Sequence, residues 1–144
     1  MPSVFTRIIK GELPARTIYR DETCLAILDV RPLNRGHTLV IPTTEIDRWT
    51  DLPVEVAAHC MVVAQAIGSA QQKAFSPIRV GLLIAGFEVP HAHIHVVPID
   101  HMQHLDFSLA QTDVDPTELD ATAKQLRVAL RLEGSIRIDR LQLD

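Results

Sequence analysis

Residues 91–98, His-Ala-His-Ile-His-Val-Val-Pro, constrain this chain more than any other stretch. Successive side chains of a β-strand point to opposite faces, and each residue advances the strand by about 3.3 Å. The pattern therefore predicts a strand that carries His91, His93 and His95 on one face, about 6.6 Å apart. Its other face is apolar, as packing on a core requires. Packing gives no reason for such a row of imidazoles, so the pattern indicates a site of chemistry.

The composition is that of a soluble globular protein with a single domain, residues 1–144. Hydrophobic residues make up 47% of the chain and charged residues 22%, which is typical of a folded domain of this size. The net charge of −4 argues against binding to long nucleic acid, which needs a concentrated basic face. A small nucleotide remains a possible ligand.

No stretch of the sequence predicts secretion or membrane insertion. The amino terminus has no long apolar segment followed by a cleavage site. The longest apolar run, residues 54–67, is too short to cross a bilayer and contains polar residues. Cys24 and Cys60 lie far apart and form no Cys-x-x-Cys pair, which favours buried reduced thiols over a disulfide or a zinc site. We therefore expect a cytoplasmic protein.

The pattern of elements favours an α+β fold with an antiparallel sheet, because hairpin strands precede a long helix rather than alternating with helices. A loop is expected over residues 100–115, and residues 135–144 form a tail able to add a strand. The predicted helices cover residues 3–10, 54–75 and 116–132. The predicted strands cover residues 17–20, 24–30, 37–41, 79–85 and 91–98.

Imidazole chemistry suggests what the row of histidines does. A neutral imidazole attacks phosphorus at neutral pH without first losing a proton, and the bond it forms can later be cleaved by water. His93 is the middle residue, and its two neighbours could donate hydrogen bonds to phosphoryl oxygens as charge develops. His37 opens a strand after a turn and could face the same site.

Zinc ligation is the alternative use of three histidines, since imidazole is the commonest metal ligand. Side chains at positions i, i+2 and i+4 of one strand span about 13 Å, however. One ion with bonds of about 2.0 Å cannot reach all three unless the strand bends. Phosphorus chemistry is therefore the favoured interpretation.

Four segments resemble the histidine triad (HIT) family of nucleotide hydrolases and transferases. His-Ala-His-Ile-His-Val-Val matches the family's alternating histidine signature, and Arg-Gly-His-Thr-Leu-Val-Ile-Pro at 35–42 matches its second characteristic segment. Residues 5–21 and 24–32 are also similar to that family, in the same order. The resemblance covers about residues 3–100, so residues 101–144 form a variable carboxyl-terminal segment.

The resemblance implies a five-stranded antiparallel sheet with a long central helix and a carboxyl-terminal helix. It also implies a homodimer joined at the sheet edges and a site for a nucleoside monophosphate at the histidine strand. The implied activity is cleavage of AMP-type purine nucleotide conjugates through a covalent nucleotidyl-histidine intermediate, with no cofactor. The alternative is a nucleotide-binding module that has weak or lost catalysis.

The family's residue roles transfer to matching positions of this chain. By resemblance, His93 is the nucleophile, and its Nδ1–H bonds to the backbone carbonyl of His91, which leaves Nε2 free. His95 contacts the α-phosphate, and His37 pairs with His91 behind the site.

The nucleotide-binding positions also come from the resemblance. Asp29 falls where the family holds the ribose hydroxyl groups. Four apolar residues fall where the family encloses the base: Phe5, Ile8, Ile27 and Val30.

The chain departs from the family pattern at three places. Phe87 and Glu88 stand where Gln-Ser or Gln-Thr commonly contact the phosphate and the leaving group, and a carboxylate there would repel a phosphate. Ser-Val-Phe-Thr at 3–6 lacks the two cysteines that bind structural zinc in some members, and Glu45 replaces a frequent histidine. We therefore expect no structural metal in this position.

Overall fold

The computed structural model describes residues 1–134, so the predicted tail at 135–144 lies outside the described residues. Three helices occur in this range: α1 (Val4–Ile9), α2 (Val54–Phe75) and α3 (Pro116–Glu133). Five strands accompany them: β1 (Thr17–Arg20), β2 (Cys24–Leu28), β3 (Thr38–Pro42), β4 (Arg79–Leu83) and β5 (Ile94–Ile99).

The five strands form one antiparallel sheet in the order β1-β2-β3-β5-β4. Strands β1 to β3 follow one another as neighbours, and the long helix α2 then carries the chain to the far edge, strand β4. Strand β5 returns between β4 and β3. The predicted α+β fold with a five-stranded antiparallel sheet, a long central helix and a carboxyl-terminal helix is confirmed.

Alternation along the strands separates two apolar layers. On one face, Ala26, Val40 and Val96 pack against the buried sides of α2 and α3. On the other face, Leu25, Ile41 and their neighbours form a smaller cluster with Phe5 of α1. Residues of opposite parity in one strand therefore serve opposite layers, as strand geometry dictates.

Helix α1 is short, and its ends are fixed locally. The hydroxyl oxygen of Ser3 accepts the backbone N–H of Thr6 at 3.0 Å, which is the expected cap for a free N–H at a helix start. Gly11 follows the helix with a φ of +79°, a conformation that glycine adopts without strain. These two residues set the length of the helix that covers the smaller layer.

The histidine strand starts later than predicted. It begins at Ile94 rather than at position 91, because the backbone N–H of Ala92 bonds to the carbonyl of Ile46 at 2.7 Å instead of to a neighbouring strand. His91, in turn, donates its N–H to Val89 at 2.8 Å within a tight turn. The prediction that three histidines occupy one regular strand face is therefore wrong, and only His95 lies within the strand.

Other boundaries differ by a few residues. Strand β2 ends at Leu28 and strand β4 at Leu83, each two residues before the predicted end, and β3 starts one residue later than predicted. Short 3₁₀ turns occupy residues 49–51, 102–105 and 107–109, partly within the predicted loop. Among the described residues, no helix combines the length and apolar character needed to cross a membrane.

Candidate active site

His93 is the centre of the site, because its ring borders cavities on both of its sides. Its Nδ1 lies 2.7 Å from the backbone oxygen of His91. A carbonyl can only accept, so Nδ1 carries the proton and Nε2 carries the lone pair. The ring is held in the tautomer and orientation that a nucleophilic imidazole needs, as the family resemblance implies.

His37 and His95 form a second chain of hydrogen bonds beside the nucleophile. The backbone N–H of Leu33 donates to Nδ1 of His37 at 3.0 Å, so Nε2 of His37 carries that ring's proton. Nε2 lies 2.9 Å from Nδ1 of His95 and donates to it. The proton of His95 is therefore on Nε2, where it can donate to a phosphoryl oxygen.

The predicted partner of His37 is wrong. His37 pairs with His95 rather than with His91, since β3 and β5 are neighbours in the sheet with Thr38 opposite Val96. His91 lies at the turn before β5, beyond the reach of that ring.

All three rings of this cluster favour the neutral form. Burial lowers the pKa of His37 to about 3, with additional repulsion from His95 and His93. Burial, followed by repulsion from His93, lowers the pKa of His95 to about 4. Burial also lowers the pKa of His93, although its bond to the carbonyl of His91 opposes the shift. A neutral imidazole is therefore available at His93 at neutral pH.

His91 anchors the nucleophile rather than facing a cavity. Its Nε2 lies 2.7 Å from the carbonyl oxygen of Pro42, and its Nδ1 lies 2.7 Å from the hydroxyl of Ser3. The carbonyl fixes the proton on Nε2, so Nδ1 accepts from the hydroxyl group. His91 is fully buried, and its own carbonyl holds His93.

A polar cluster ties helix α1 to this anchor. The carboxylate of Glu45 accepts the backbone N–H of Ser3 at 2.7 Å and the hydroxyl of Thr6 at 2.6 Å. These two hydrogen bonds hold the pKa of the Glu45 carboxyl below its usual value. Ser3, Thr6 and Glu45 thereby connect the amino terminus to His91 through side-chain hydrogen bonds.

The sheet register builds a nucleoside-sized cavity next to His93. His95 lies opposite Leu39 of β3, and Leu39 lies opposite Ile27 of β2, so all three share the face that α1 covers. A cavity of about 320 Å³ opens there. The predicted site residues on its wall are Phe5, Ile8, Ile27, Asp29, Val30, His93 and His95.

Asp29 brings a carboxylate to the rim of this cavity. Its Oδ1 accepts the backbone N–H of Arg31 at 2.9 Å, and its Oδ2 lies 3.6 Å from Nε2 of His37. Burial raises the pKa of its carboxyl group, while Arg31 lowers it and Glu88 raises it further. The position suits a hydrogen-bond acceptor for vicinal hydroxyl groups.

On the other side of His93 lie two further cavities. Trp49 and Phe87 border one of them together with Asp47 and Arg48, so its wall is mixed in character. Phe107 borders the second, more apolar cavity with His95. The ring of Phe107 meets that of His95 edge to face, with centroids 4.9 Å apart. Phe87 is 98% exposed and carries no group able to hydrogen bond. The carboxylate of Glu88 borders the cavities on both sides of the nucleophile.

Several positioning residues escaped sequence reasoning. Gln71 of α2 is buried and donates to the carbonyl oxygens of Gly36 and Val96, both at 2.9 Å. Gly36 has a φ of +91°, and a Cβ there would lie 2.4 Å from the ring of Phe75. Ser3 lies 88 positions from His91, and Phe107 lies 12 positions from His95, so no local pattern links either residue to the histidine it touches. Only Gln71 had a signal in the sequence, because it is a polar residue within the apolar stripe of α2 and therefore indicates a buried hydrogen-bonding role.

Metal ligation by all three histidines of the motif does not fit this geometry, since both ring nitrogens of His91 have protein partners. Within residues 1–134, the active-site atoms that could share an ion belong to Asp29, His37 and His95, whose donor atoms lie within 4.8 Å of one another. In the present arrangement the proton on Nε2 of His37 occupies the space between them.

This fold and this histidine arrangement define a histidine triad protein. The HIT domain model matches residues 10–102, and the chain belongs to the HIT family. An uncharacterized HIT-like protein of Mycobacterium tuberculosis is 38% identical over 96% of this chain and 100% of its own length.

Two further comparisons place the chain within that family. An adenosine 5′-monophosphoramidase of Saccharomyces cerevisiae is 29% identical over 92% of this chain and 84% of its own. The crystal structure of a zinc-bound histidine triad protein from Mycobacterium smegmatis superposes with a TM-score of 0.77. It is 37% identical and covers 90% of this chain and 93% of its own. The relatives support a hydrolase acting on phosphorus linkages.

Proposed function

We propose that this protein hydrolyses purine nucleoside monophosphate conjugates, and that the leaving group is an amine. The observation that carries the proposal is the 2.7 Å bond from Nδ1–H of His93 to the carbonyl of His91, which directs the Nε2 lone pair toward a nucleoside-sized cavity. The similarity to a monophosphoramidase supports the same reaction class.

The first step is attack on the α-phosphorus. Nε2 of His93 forms a bond to phosphorus, the bond from phosphorus to the leaving nitrogen breaks, and the departing amine takes up a proton from solvent. The Nε2–H of His95 donates to a phosphoryl oxygen as its charge grows. Water then attacks phosphorus and loses a proton to solvent, the bond to His93 breaks, and AMP leaves with the imidazole neutral again.

The charge of Glu88 favours an amine over a polyphosphate as the leaving group. Glu88 borders the cavities that contain His93 and His95, and its charge opposes the lowering of the His93 pKa and adds to the raising of the Asp29 pKa. Arg31 also borders the cavity beside α1, whereas, among the described residues, the cavity with Phe107 has Glu88 and no arginine or lysine at its wall. A polyphosphate would bring several negative charges close to this carboxylate, whereas an amine is neutral or positive. Phe87 offers such a leaving group an apolar contact instead of a hydrogen bond.

A homodimer is the second part of the proposal, through β4, which is an outer strand of the sheet that residues 1–134 form, and the adjoining side of α2. Exposed apolar side chains lie on α2, on β4 and just before β4: Val54, Met61, Val62, Leu82 and Ile78. Strand β4 is at the edge of the sheet, so its outer backbone groups can pair with a second copy. Both features favour a partner with the same surface.

An adenosine 5′-phosphoramidate assay tests the reaction. Purified protein should release AMP, and His93→Ala should abolish that release while retaining AMP binding by calorimetry. His101→Ala, at a histidine away from these cavities, is the matched control and should keep full activity. Binding of AMP by the wild-type protein without any turnover would instead identify a nucleotide-binding module.

A further inference from the structure

A second cluster of metal-binding side chain types lies away from the active site, where the turn between β1 and β2 meets helix α2. Donor atoms of Asp21, Cys24 and His59 lie within 4.8 Å of one another. The Asp21 and Cys24 side chains are buried, and the His59 side chain is 37% exposed. The proposed reaction uses none of these residues.

The carboxylate of Asp21 is held in place by the backbone. Its Oδ1 accepts the N–H groups of Thr23 and Cys24 at 2.8 and 2.9 Å. Its Oδ2 accepts the Tyr19 hydroxyl at 2.8 Å and lies 2.6 Å from Nε2 of His59. Two of the three donors thus sit on a fixed turn, and the third is on the rigid helix α2.

The cluster contains one carboxylate, one imidazole and one thiol, which are three of the side-chain types that bind zinc. Its carboxylate and its thiol lie in a mostly buried environment. A divalent cation would stabilise a carboxylate and a thiolate held so close together.

We propose that Asp21, Cys24 and His59 form a binding site for a thiophilic divalent cation of the zinc type, with solvent as the fourth ligand. Zinc binds sulfur at about 2.3 Å and nitrogen or oxygen at about 2.0 to 2.2 Å, usually with four ligands. Tetrahedral angles then place donor atoms roughly 3 to 4 Å apart. The three donor atoms now lie within 4.8 Å of one another, so binding requires small shifts, and the partly exposed ring of His59 must release its hydrogen bond to Asp21.

Ligand type selects the ion. Mixed sulfur, nitrogen and oxygen donors suit zinc, whereas magnesium and calcium prefer oxygen ligands. Metal binding displaces the proton of the Cys24 thiol and links the β1–β2 turn to helix α2. Because the ion binds the folded state, binding should raise the free energy of unfolding.

Cobalt substitution distinguishes this site from the active-site trio of Asp29, His37 and His95, which contains no thiol. The full-length chain, treated with chelator and kept reduced, is titrated with Co²⁺ and then with Zn²⁺. We expect one Co²⁺ ion to bind per chain and to give a thiolate-to-cobalt charge-transfer absorption band. Zn²⁺ should displace Co²⁺ and remove the band. The Tm should be higher with Zn²⁺ than with chelator. His95→Asn, which removes a donor of the active-site trio, should leave the band unchanged.

Two variants test the donors. Cys24→Ser should abolish the band, and His59→Gln should weaken Zn²⁺ binding by at least about tenfold, the loss typical of even an outer-shell change. Because the His59 side chain is partly exposed, we expect His59→Gln to fold even if Cys24→Ser does not. It therefore tests the site independently of the buried cysteine. A spectrum without the thiolate band, or a band and affinity unchanged in His59→Gln, would overturn the proposal. Turnover of phosphoramidate is measured separately and bears only on the proposed function.

Discussion

Nε2 of His37 lies 2.9 Å from Nδ1 of His95, and this contact fixes which nitrogen of His95 carries the proton. The backbone N–H of Leu33 donates to Nδ1 of His37, so the proton of His37 is on Nε2 and that of His95 is on its own Nε2. The backbone at residue 33 therefore determines that His95 has an N–H donor at Nε2.

This relationship predicts graded losses of turnover. His95→Ala removes a donor to the developing charge and should lower kcat about 10²- to 10³-fold. His37→Gln should have a smaller effect with little change in KM, because it alters only the tautomer and orientation of His95. Steady-state kinetics on a phosphoramidate measures both. Equal losses in the two variants would contradict a supporting role for His37.

Acid should destabilise the fold through the buried histidines. An unfolded histidine titrates near pH 6.5, whereas folded His95 titrates at about 4. Between these values only the unfolded chain gains the proton, so the free energy of unfolding falls as the pH falls. The contribution is about 1.4 kcal/mol per pH unit for such a group. Urea unfolding from pH 6.5 to 4.5 should give a shallower pH dependence for His95→Asn than for wild type.

Loss of the Ser3 hydroxyl should weaken both stability and catalysis. Ser3→Ala leaves the buried Nδ1 of His91 without its donor, at a cost of about 1 to 3 kcal/mol. Because the carbonyl of His91 orients the nucleophile, kcat should fall more than KM rises. Urea unfolding and kinetics test the two effects. Ser69→Ala in α2 is the control. A similar loss of stability and of kcat in that variant would contradict a specific role for the Ser3 hydroxyl.

Neutralising Glu88 should change the choice of leaving group. Glu88→Gln removes the repulsion of polyphosphates, so the ratio of kcat/KM for an AMP-amine to that for a dinucleoside polyphosphate should fall about tenfold, equivalent to about 1.4 kcal/mol. Glu55→Gln, at an exposed position in the first turn of α2, should leave the ratio unchanged. An unaltered ratio in Glu88→Gln would show that this carboxylate does not set selectivity.

The proposed dimer predicts the mass of the protein in solution and the substitution that should dissociate it. Sedimentation equilibrium should give twice the chain mass of 16.0 kDa. Met61→Glu places a charge on the exposed apolar side of α2 and should shift the mass toward one chain. Glu55→Gln again serves as the control. A mass near one chain for the wild-type protein would refute the dimer.

Patterns within single elements predicted most of the fold. Short apolar runs bounded by turn residues located β2 and β3, and apolar spacing of three and four located α2 almost to the residue. The start of β5 could not be predicted in this way, because it depends on a hydrogen bond between Ala92 and Ile46, which are distant in sequence. Period-two spacing describes a strand only where a neighbour pairs with it.

Pairings across the sheet were the harder part of the site. The triad motif identified His93, but nothing local distinguishes His91 from His95 as the partner of His37. Strand order and register decide that pairing. The Ser3 to His91 contact spans 88 positions and brings together two segments whose local patterns give no sign of each other.

Cavities on both sides of His93 also bear on the order of events during a catalytic cycle. The nucleoside would lie on the side of α1, while Trp49 and Phe87 border the opposite opening. A departing group can diffuse away through that opening while the nucleotide stays attached to the ring. The vacated space is then open to any acceptor of suitable size, so geometry leaves room for double-displacement transfer as well as for hydrolysis.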